Sequence, residues 1–151
     1  GEPHRVQPVG VIGDVEYIDD SKGTNVGATL AAVHRLGAER RLVVILGGDG
    51  KGQDFSVLRD AVRRYARAVV LMGRDAGLIG DTLRDTGVPL LPATDMVDAV
   101  QQAAAAAKVG DVVLLSPACA SFDMYRNYLA RATAFTYAVT TLAENNGEVR
   151  V

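Results

Sequence analysis

Arg41-Leu42-Val43-Val44-Ile45-Leu46 is an apolar run with no polar interruption after its first residue, and it ends at Gly47-Gly48-Asp49-Gly50-Lys51-Gly52. A strand that buries one face alternates apolar with polar residues. A run without alternation fits a strand covered on both faces, as in a parallel sheet. Two more runs share the pattern: Ala68-Val69-Val70-Leu71-Met72, closed by Gly73-Arg74-Asp75, and Asp111-Val112-Val113-Leu114-Leu115, closed by Ser116 to Asp123. Between them lie stretches of helical spacing: Val26 to Leu36, Asp54 to Tyr65, Ala76 to Arg84 and the alanine-rich Thr94 to Lys108. Val88-Pro89-Leu90-Leu91 reads as a short strand, which Pro89 assigns to an edge.

Upstream, Val9 to Ile12 and Val15 to Ile18 read as two strands around a Gly13-Asp14 turn. Downstream, Phe122, Tyr125, Leu129, Ala132, Val139 and Leu142 mark a long C-terminal helix, and Glu144 to Val151 a polar tail. Strands alternating with helices predict an α/β fold. The expected form is a three-layer, Rossmann-like sandwich around a mostly parallel sheet, with the N-terminal hairpin as its antiparallel edge. Residues 1–151 read as one domain, a length that buries about 68–70% of the unfolded surface.

Composition narrows the function. With 48% hydrophobic residues, 23% charged and a net charge of -2, the chain is an ordinary globular sequence without the basic excess of a nucleic-acid binder. No apolar run is long enough to span a bilayer, and the lone Cys119 has no partner for an internal disulfide. No nucleic acid, no membrane and a cytoplasmic location are expected. The opening Gly1 to Arg5 lacks a methionine and reads as loop from the middle of a longer protein, so a fragment is expected.

In an open α/β sheet, ligands gather outside the carboxyl ends of the strands. Four loops leave predicted carboxyl ends: Asp20 to Asn25, Gly47 to Gly52, Gly73 to Asp75 and Ser116 to Asp123. Asn25 falls at the N-cap of the first long helix, where unpaired N–H groups and the adjacent Lys22 suit an anion; a capped turn with a solvated lysine is the plainer reading. Only three of the 16 cations are lysines, and Lys22 and Lys51 both stand beside glycine in these loops. An ammonium retained in an arginine-rich chain points to a need for a compact charge.

The glycine cluster at Gly47–Gly52 is neither of the phosphate motifs it resembles. A P-loop requires glycine six residues before its lysine and Ser or Thr after it, where this chain has Ile45 and Gly52. A dinucleotide fingerprint from Gly48 and Gly50 requires glycine or alanine at Gln53. The rim then offers Lys22, Thr24, Lys51 and Ser121 as donors, with Asp20 and Asp49 to orient them, a set matched to a small dianion or a phosphorylated group. Ser116 and Ser121 lack a nucleophile elbow and a histidine base. His4 and His34 have no metal-ligand spacing, so no metal site is expected.

Several of these segments, in order, carry a resemblance. Pro3-His4-Arg5, Asp20-Ser21-Lys22-Gly23-Thr24-Asn25, Leu46 to Lys51 with Asp54-Phe55, Gly73-Arg74-Asp75, and Leu115 to Ser121 with Asp123 and Asn127 resemble the C-terminal domain of the Mur ligases from Pro3 to about Ala143. The likeness is narrowest to the members that add D-glutamate. It implies an ATP-dependent amide-bond ligase of peptidoglycan precursor synthesis, with a UDP-substrate domain and a central ATPase domain upstream. In such an enzyme ATP, with Mg held mainly by the central domain, phosphorylates the carboxylate of UDP-N-acetylmuramoyl-L-alanine, and the amine of D-glutamate attacks the acyl phosphate. The resemblance places Arg5, Asp20 and Lys22 against the nucleotide on domain closure. It places Thr24 and Lys51 on one carboxylate of D-glutamate, the α-carboxylate, and Ser121 with the backbone around Phe122 and Tyr128 on the other. Tyr128 stands where the family has Phe, which leaves a backbone contact intact. The chain alone is expected to be inactive. The rival readings are a sister ligase for another amino acid or for folate glutamation, and a free-standing α/β module that binds a small anion.

Overall fold

The computed structural model describes residues 6–147. They form a six-stranded sheet in the order β1-β2-β6-β3-β4-β5. In chain order the strands are β1 (Gln7–Ile12), β2 (Val15–Asp19), β3 (Leu42–Gly47), β4 (Ala66–Met72), β5 (Leu90–Pro92) and β6 (Val112–Leu115). β1 pairs antiparallel with β2, and every other pairing is parallel. The α/β sandwich with an antiparallel N-terminal edge is therefore as expected.

The hairpin turn forms because Gly13 and Asp14 both adopt positive φ, 57° and 62°, the pair of left-handed residues whose twist matches the flanking strands. In β3 every residue is buried, because the parallel neighbours β6 and β4 flank it and helices cover both faces. Alternate side chains enter different layers. Val43 and Ile45 join Val113, Leu115, Val70 and Phe135 in one core. Leu42, Val44 and Leu46 join Leu114, Val69, Ile79 and Leu58 in the other. Each such side chain contributes about 1.5–3 kcal/mol by leaving water.

The helices are α1 (Val26–Gly37), α2 (Arg59–Tyr65), α3 (Ala76–Leu83), α4 (Met96–Ala106) and α5 (Tyr128–Asn145). α4 and α5 supply the first core, while α1, α2 and α3 supply the second. Asn25 caps α1 as expected, its side chain accepting the Ala28 N–H. β5 is the edge strand that Pro89 called for, and the Pro89 carbonyl accepts the Val69 N–H.

Three expectations are corrected. The segment from Asp54 begins with a 3-10 turn at Phe55–Leu58, where the Asp54 carboxylate accepts the Ser56 N–H, and only then becomes α2. The C-terminal helix starts at Tyr128, not near Phe122: Asn127 caps it by accepting the Ala130 N–H, and Phe122 is 69% exposed. Before Asn127 the chain is committed elsewhere, with the Ser121 carbonyl accepting from Met124 and Tyr125 and the Asp123 carboxylate accepting the Arg74 N–H. Finally, α5 runs through Asn145, so Glu144 belongs to its last turn; residues 148–151 of the expected tail lie outside the described residues.

Candidate functional site

The four loops that leave β2, β3, β4 and β6 meet at the carboxyl end of the sheet and are laced together by their backbones. Asp49 and Ala120 form an antiparallel bridge, exchanging N–H···O bonds of 3.0 and 2.9 Å. Ala118 donates its N–H to the Gly23 carbonyl at 2.7 Å, Gly47 to Pro117 at 3.0 Å and Asp75 to Gly48 at 3.0 Å. Gln53 adds a side-chain clamp: its Oε1 accepts the Val26 N–H, and its Nε2 donates to the Gly50 and Ala118 carbonyls. Such close approach needs glycine at two positions. A Cβ on Gly47 (φ 136°) would lie 1.7 Å from the Met72 carbonyl oxygen, and one on Gly48 (φ 133°) 2.4 Å from that of Ala120.

Lys22, Thr24, Lys51 and Ser121 all stand on this rim. Asp20 is 2% exposed, and its Oδ2 accepts the Ser116 hydroxyl at 2.7 Å; that hydroxyl lies 2.9 Å from the Thr29 Oγ1. Lys22 and Thr24 are half-buried, and the Thr24 N–H donates to the Lys22 carbonyl at 2.7 Å. With Gly23, Asn25, Ala28 and Arg35, Asp20 and Lys22 line a cavity of about 270 Å³ against α1. Lys51 adopts positive φ, 54°, and its side chain is 64% exposed, with Nζ 3.7 Å from Asp49 Oδ2. Arg74 reaches the same oxygen at 3.8 Å. Asp49 therefore sits between two cations.

Ser121 is buried at 3% exposed, one residue beyond the Asp49–Ala120 bridge. Tyr128 opens α5, so its N–H has no partner within the helix and lies at the positive end of the helix dipole. The exposed Phe122 side chain leans on nothing in the core, which leaves its backbone as the part within reach of the rim. Arg5 lies outside the described residues. Among the described residues no group of three or more His, Cys, Asp or Glu side chains could hold a metal ion. Cys119 is fully buried, and burial pushes its thiol up to about 12, so it stays protonated. Burial also pushes the Asp19 carboxyl up, against the lowering effect of its bonds from the Ser21 hydroxyl and N–H.

Reading the sequence missed Arg131. It projects from α5 at 1% exposed, beneath the loops, donating from Nη1 to the Cys119 carbonyl at 3.0 Å and from Nη2 to the Ser21 carbonyl at 3.1 Å. Its Nε has no hydrogen-bond partner, and among the described residues no carboxylate pairs with it. Burial pulls the guanidinium below its ordinary pKa, yet an arginine in a protein keeps its proton. The signal was present: Arg131 occupies the same helical stripe as Phe135, Ala138 and Leu142.

A family model described as the glutamate ligase domain of Mur ligases matches residues 4–119. The chain belongs to the Mur ligase family. It is 62% identical over 147 residues, 97% of its length, to a UDP-N-acetylmuramoylalanine–D-glutamate ligase of Albidiferax ferrireducens, and that match spans 29% of the relative. A protein of the same name in Bordetella parapertussis is 60% identical over 149 residues, 99% of this chain and 29% of its own. This Mur ligase domain thus spans less than a third of the curated relatives it matches. Among solved structures it is similar to UDP-N-acetylmuramate-alanine ligase from Thermotoga maritima, with TM-score 0.61 and 15% identity over 94% of this chain and 31% of that one. The ligand-free bifunctional folylpolyglutamate synthase/dihydrofolate synthase from Yersinia pestis gives TM-score 0.63 and 22% identity over 91% and 32%. At these identities the likeness is one of fold.

Proposed function

We propose that this Mur ligase domain binds D-glutamate for an ATP-dependent amide-bond ligase of peptidoglycan precursor synthesis, and completes the active site by closing on a nucleotide-binding domain elsewhere in the protein. The observation that carries the reading is that Lys22, Thr24, Lys51 and Ser121 stand on one rim, whose loops are tied by the Asp49–Ala120 bridge and the Ala118–Gly23 hydrogen bond. The relatives named as D-glutamate ligases favour this amino acid over those of the sister ligases.

A dicarboxylate needs two separated groups of donors, each charge-assisted hydrogen bond contributing about 1.5–3 kcal/mol. Thr24 with Lys51 would hold one carboxylate, the α-carboxylate. Ser121 with the backbone at Phe122 and Tyr128, at the positive end of α5, would hold the other. Asp20 and Lys22, at the mouth of the cavity along α1, would face the nucleotide: Asp20 accepts from ribose hydroxyls, and Lys22 offers charge to phosphate. Arg5 completes that group in the reading from sequence.

ATP and UDP-N-acetylmuramoyl-L-alanine enter as substrates bound mainly by other domains, in the cytoplasm. Among the described residues no group of three or more His, Cys, Asp or Glu side chains could hold the Mg ion such a ligase uses, so its ligands would come mainly from the other domains. This domain's own contribution is position: it fixes the amine against the activated carbonyl, so that the C–N bond forms in a tetrahedral intermediate whose C–O bond then breaks to release phosphate, the proton lost from the amine passing to solvent or to the departing phosphate.

ADP release by the complete protein, supplied with ATP and UDP-N-acetylmuramoyl-L-alanine, tests the reading. Release should depend on D-glutamate and be far slower with L-glutamate or a diamino acid. Preference for a diamino acid removes D-glutamate and leaves the family.

A further inference from the structure

We propose that Arg131 is a positioning residue for both substrates, setting the separation between the loop after β2 and the loop after β6. The inference rests on the function proposed above, since it concerns the donors assigned there.

The geometry is a fork. One guanidinium holds the Cys119 carbonyl at 3.0 Å with Nη1 and the Ser21 carbonyl at 3.1 Å with Nη2. The guanidinium is planar and rigid, so the distance between its two nitrogens becomes the distance between the two loops. Ser21 precedes Lys22 and stands three residues before Thr24; Cys119 stands two residues before Ser121. The third connection is covalent. Arg131 lies three residues into α5 from Tyr128, so the helix start keeps one register with both loops. The loop after β3 runs close to the same group: a Cβ on Gly48 would lie 3.4 Å from Nη1.

Core packing alone does not account for this side chain. The other buried positions of α5 are Phe135, Ala138, Val139 and Ala143, all apolar. A cation buried without a carboxylate is a poor way to fill a core, because its desolvation goes largely uncompensated. The partners it does have are two carbonyls in the two loops that carry the ligand donors. A methionine would fill the space. It would remove both bonds and leave the two loops joined by the Ala118–Gly23 and Ser116–Asp20 hydrogen bonds, without the fork that fixes Ser21 against Cys119.

The test uses the complete enzyme. Arg131→Lys keeps the charge and most of the volume but reaches one carbonyl at a time. KM for the amino acid and KM for ATP should both rise, on the order of ten- to a hundredfold, while circular dichroism and the thermal midpoint stay near wild type. Lys51→Ala, in comparison, should move the amino-acid KM alone. Methylguanidinium added to Arg131→Ala should lower both KM values, and methylammonium at equal concentration should not. Wild-type KM values in Arg131→Lys overturn the proposal, as does a rise confined to one substrate. A fall in thermal midpoint with unmoved KM values, or failure of both variants to fold, makes Arg131 a core residue and overturns it too. If the wild-type enzyme takes an amino acid other than D-glutamate, the substrate reading fails, and the same measurement is made with the amino acid it does take.

Discussion

The two ends of the sheet handle buried charge in opposite ways. At the amino end, Asp111 is 3% exposed and is met by Arg67, whose Nε lies 2.5 Å from Oδ2 and whose Nη2 lies 3.1 Å from Oδ1. The Lys108 N–H adds a third bond to the same carboxylate. That is a paired group, in which a donor fork matches an acceptor fork. At the carboxyl end, Arg131 is buried as deeply but is held by carbonyls, and Asp20 is held by a serine hydroxyl. The Arg131 charge there is fixed in place by carbonyls, with no carboxylate bridged to it among the described residues. The amino end uses ion pairing to hold the strands' starts together, whereas the carboxyl end keeps polar groups whose charge can still act on something arriving from outside.

This contrast can be broken in measurable ways. Asp111→Ala should have the largest effect, lowering stability by about 3 kcal/mol in chemical denaturation, because it strands a partly buried guanidinium and the Lys108 N–H. A loss under 1 kcal/mol would mean that the amino end is not the fastened one. Lys51→Ala should leave stability within about 0.5 kcal/mol, since the side chain is 64% exposed and its contact with Asp49 is long. In the complete enzyme it should raise KM for D-glutamate roughly 10- to 100-fold, the equivalent of one charge-assisted bond. An unmoved KM would take Lys51 out of the site.

The smallest effect is on the pH dependence of stability, and the two ends should contribute with opposite sign. Burial pushes the Asp111 carboxyl up, but the Arg67 bonds and the Lys108 N–H outweigh it and hold it below its ordinary value. Its stabilisation is therefore full above the ordinary carboxylate range and is lost as pH falls through the lowered value. Asp19 is held above its ordinary value by burial, so the folded state binds the extra proton. Its contribution is full below the ordinary range and is lost as pH rises through the raised value. Denaturation between about pH 3 and 6 should show Asp111→Asn flattening the acid-side loss of stability and Asp19→Asn steepening it. The same slope in both variants would erase the distinction.

Much of the frame was legible because it follows from local rules. The unalternating run at Leu42–Leu46 fitted cover on both faces, Gly13-Asp14 suited a hairpin turn, and Asn25 fell at the cap of α1. The rim was legible too, since strand order does not alter which loops leave carboxyl ends. What escaped depended on distant partners. Phe122 and Tyr125 continue the apolar spacing of α5, yet the bonds from Asp123 to Arg74 and within Ser121–Tyr125 pull that stretch out of the helix. Arg131 escaped for a related reason. A lone arginine on a helix is usually solvated, and only the Ser21 carbonyl, 110 residues away in the chain, makes its burial tolerable.

The strand order bears on how the chain becomes a protein at all. β2 and β3 are not neighbours in the sheet; β6, the last strand among the described residues, slots between them and pairs with both. Until Leu115 has been synthesised, the N-terminal hairpin has no neighbour in the sheet, and the inner edge of β3 lies bare. Contacts this remote along the chain form slowly, and bare edges invite pairing with other molecules. A nascent chain stalled before residue 112 should therefore be a sticky intermediate, and insertion of one four-residue strand completes the sheet and draws together the loops of its working rim.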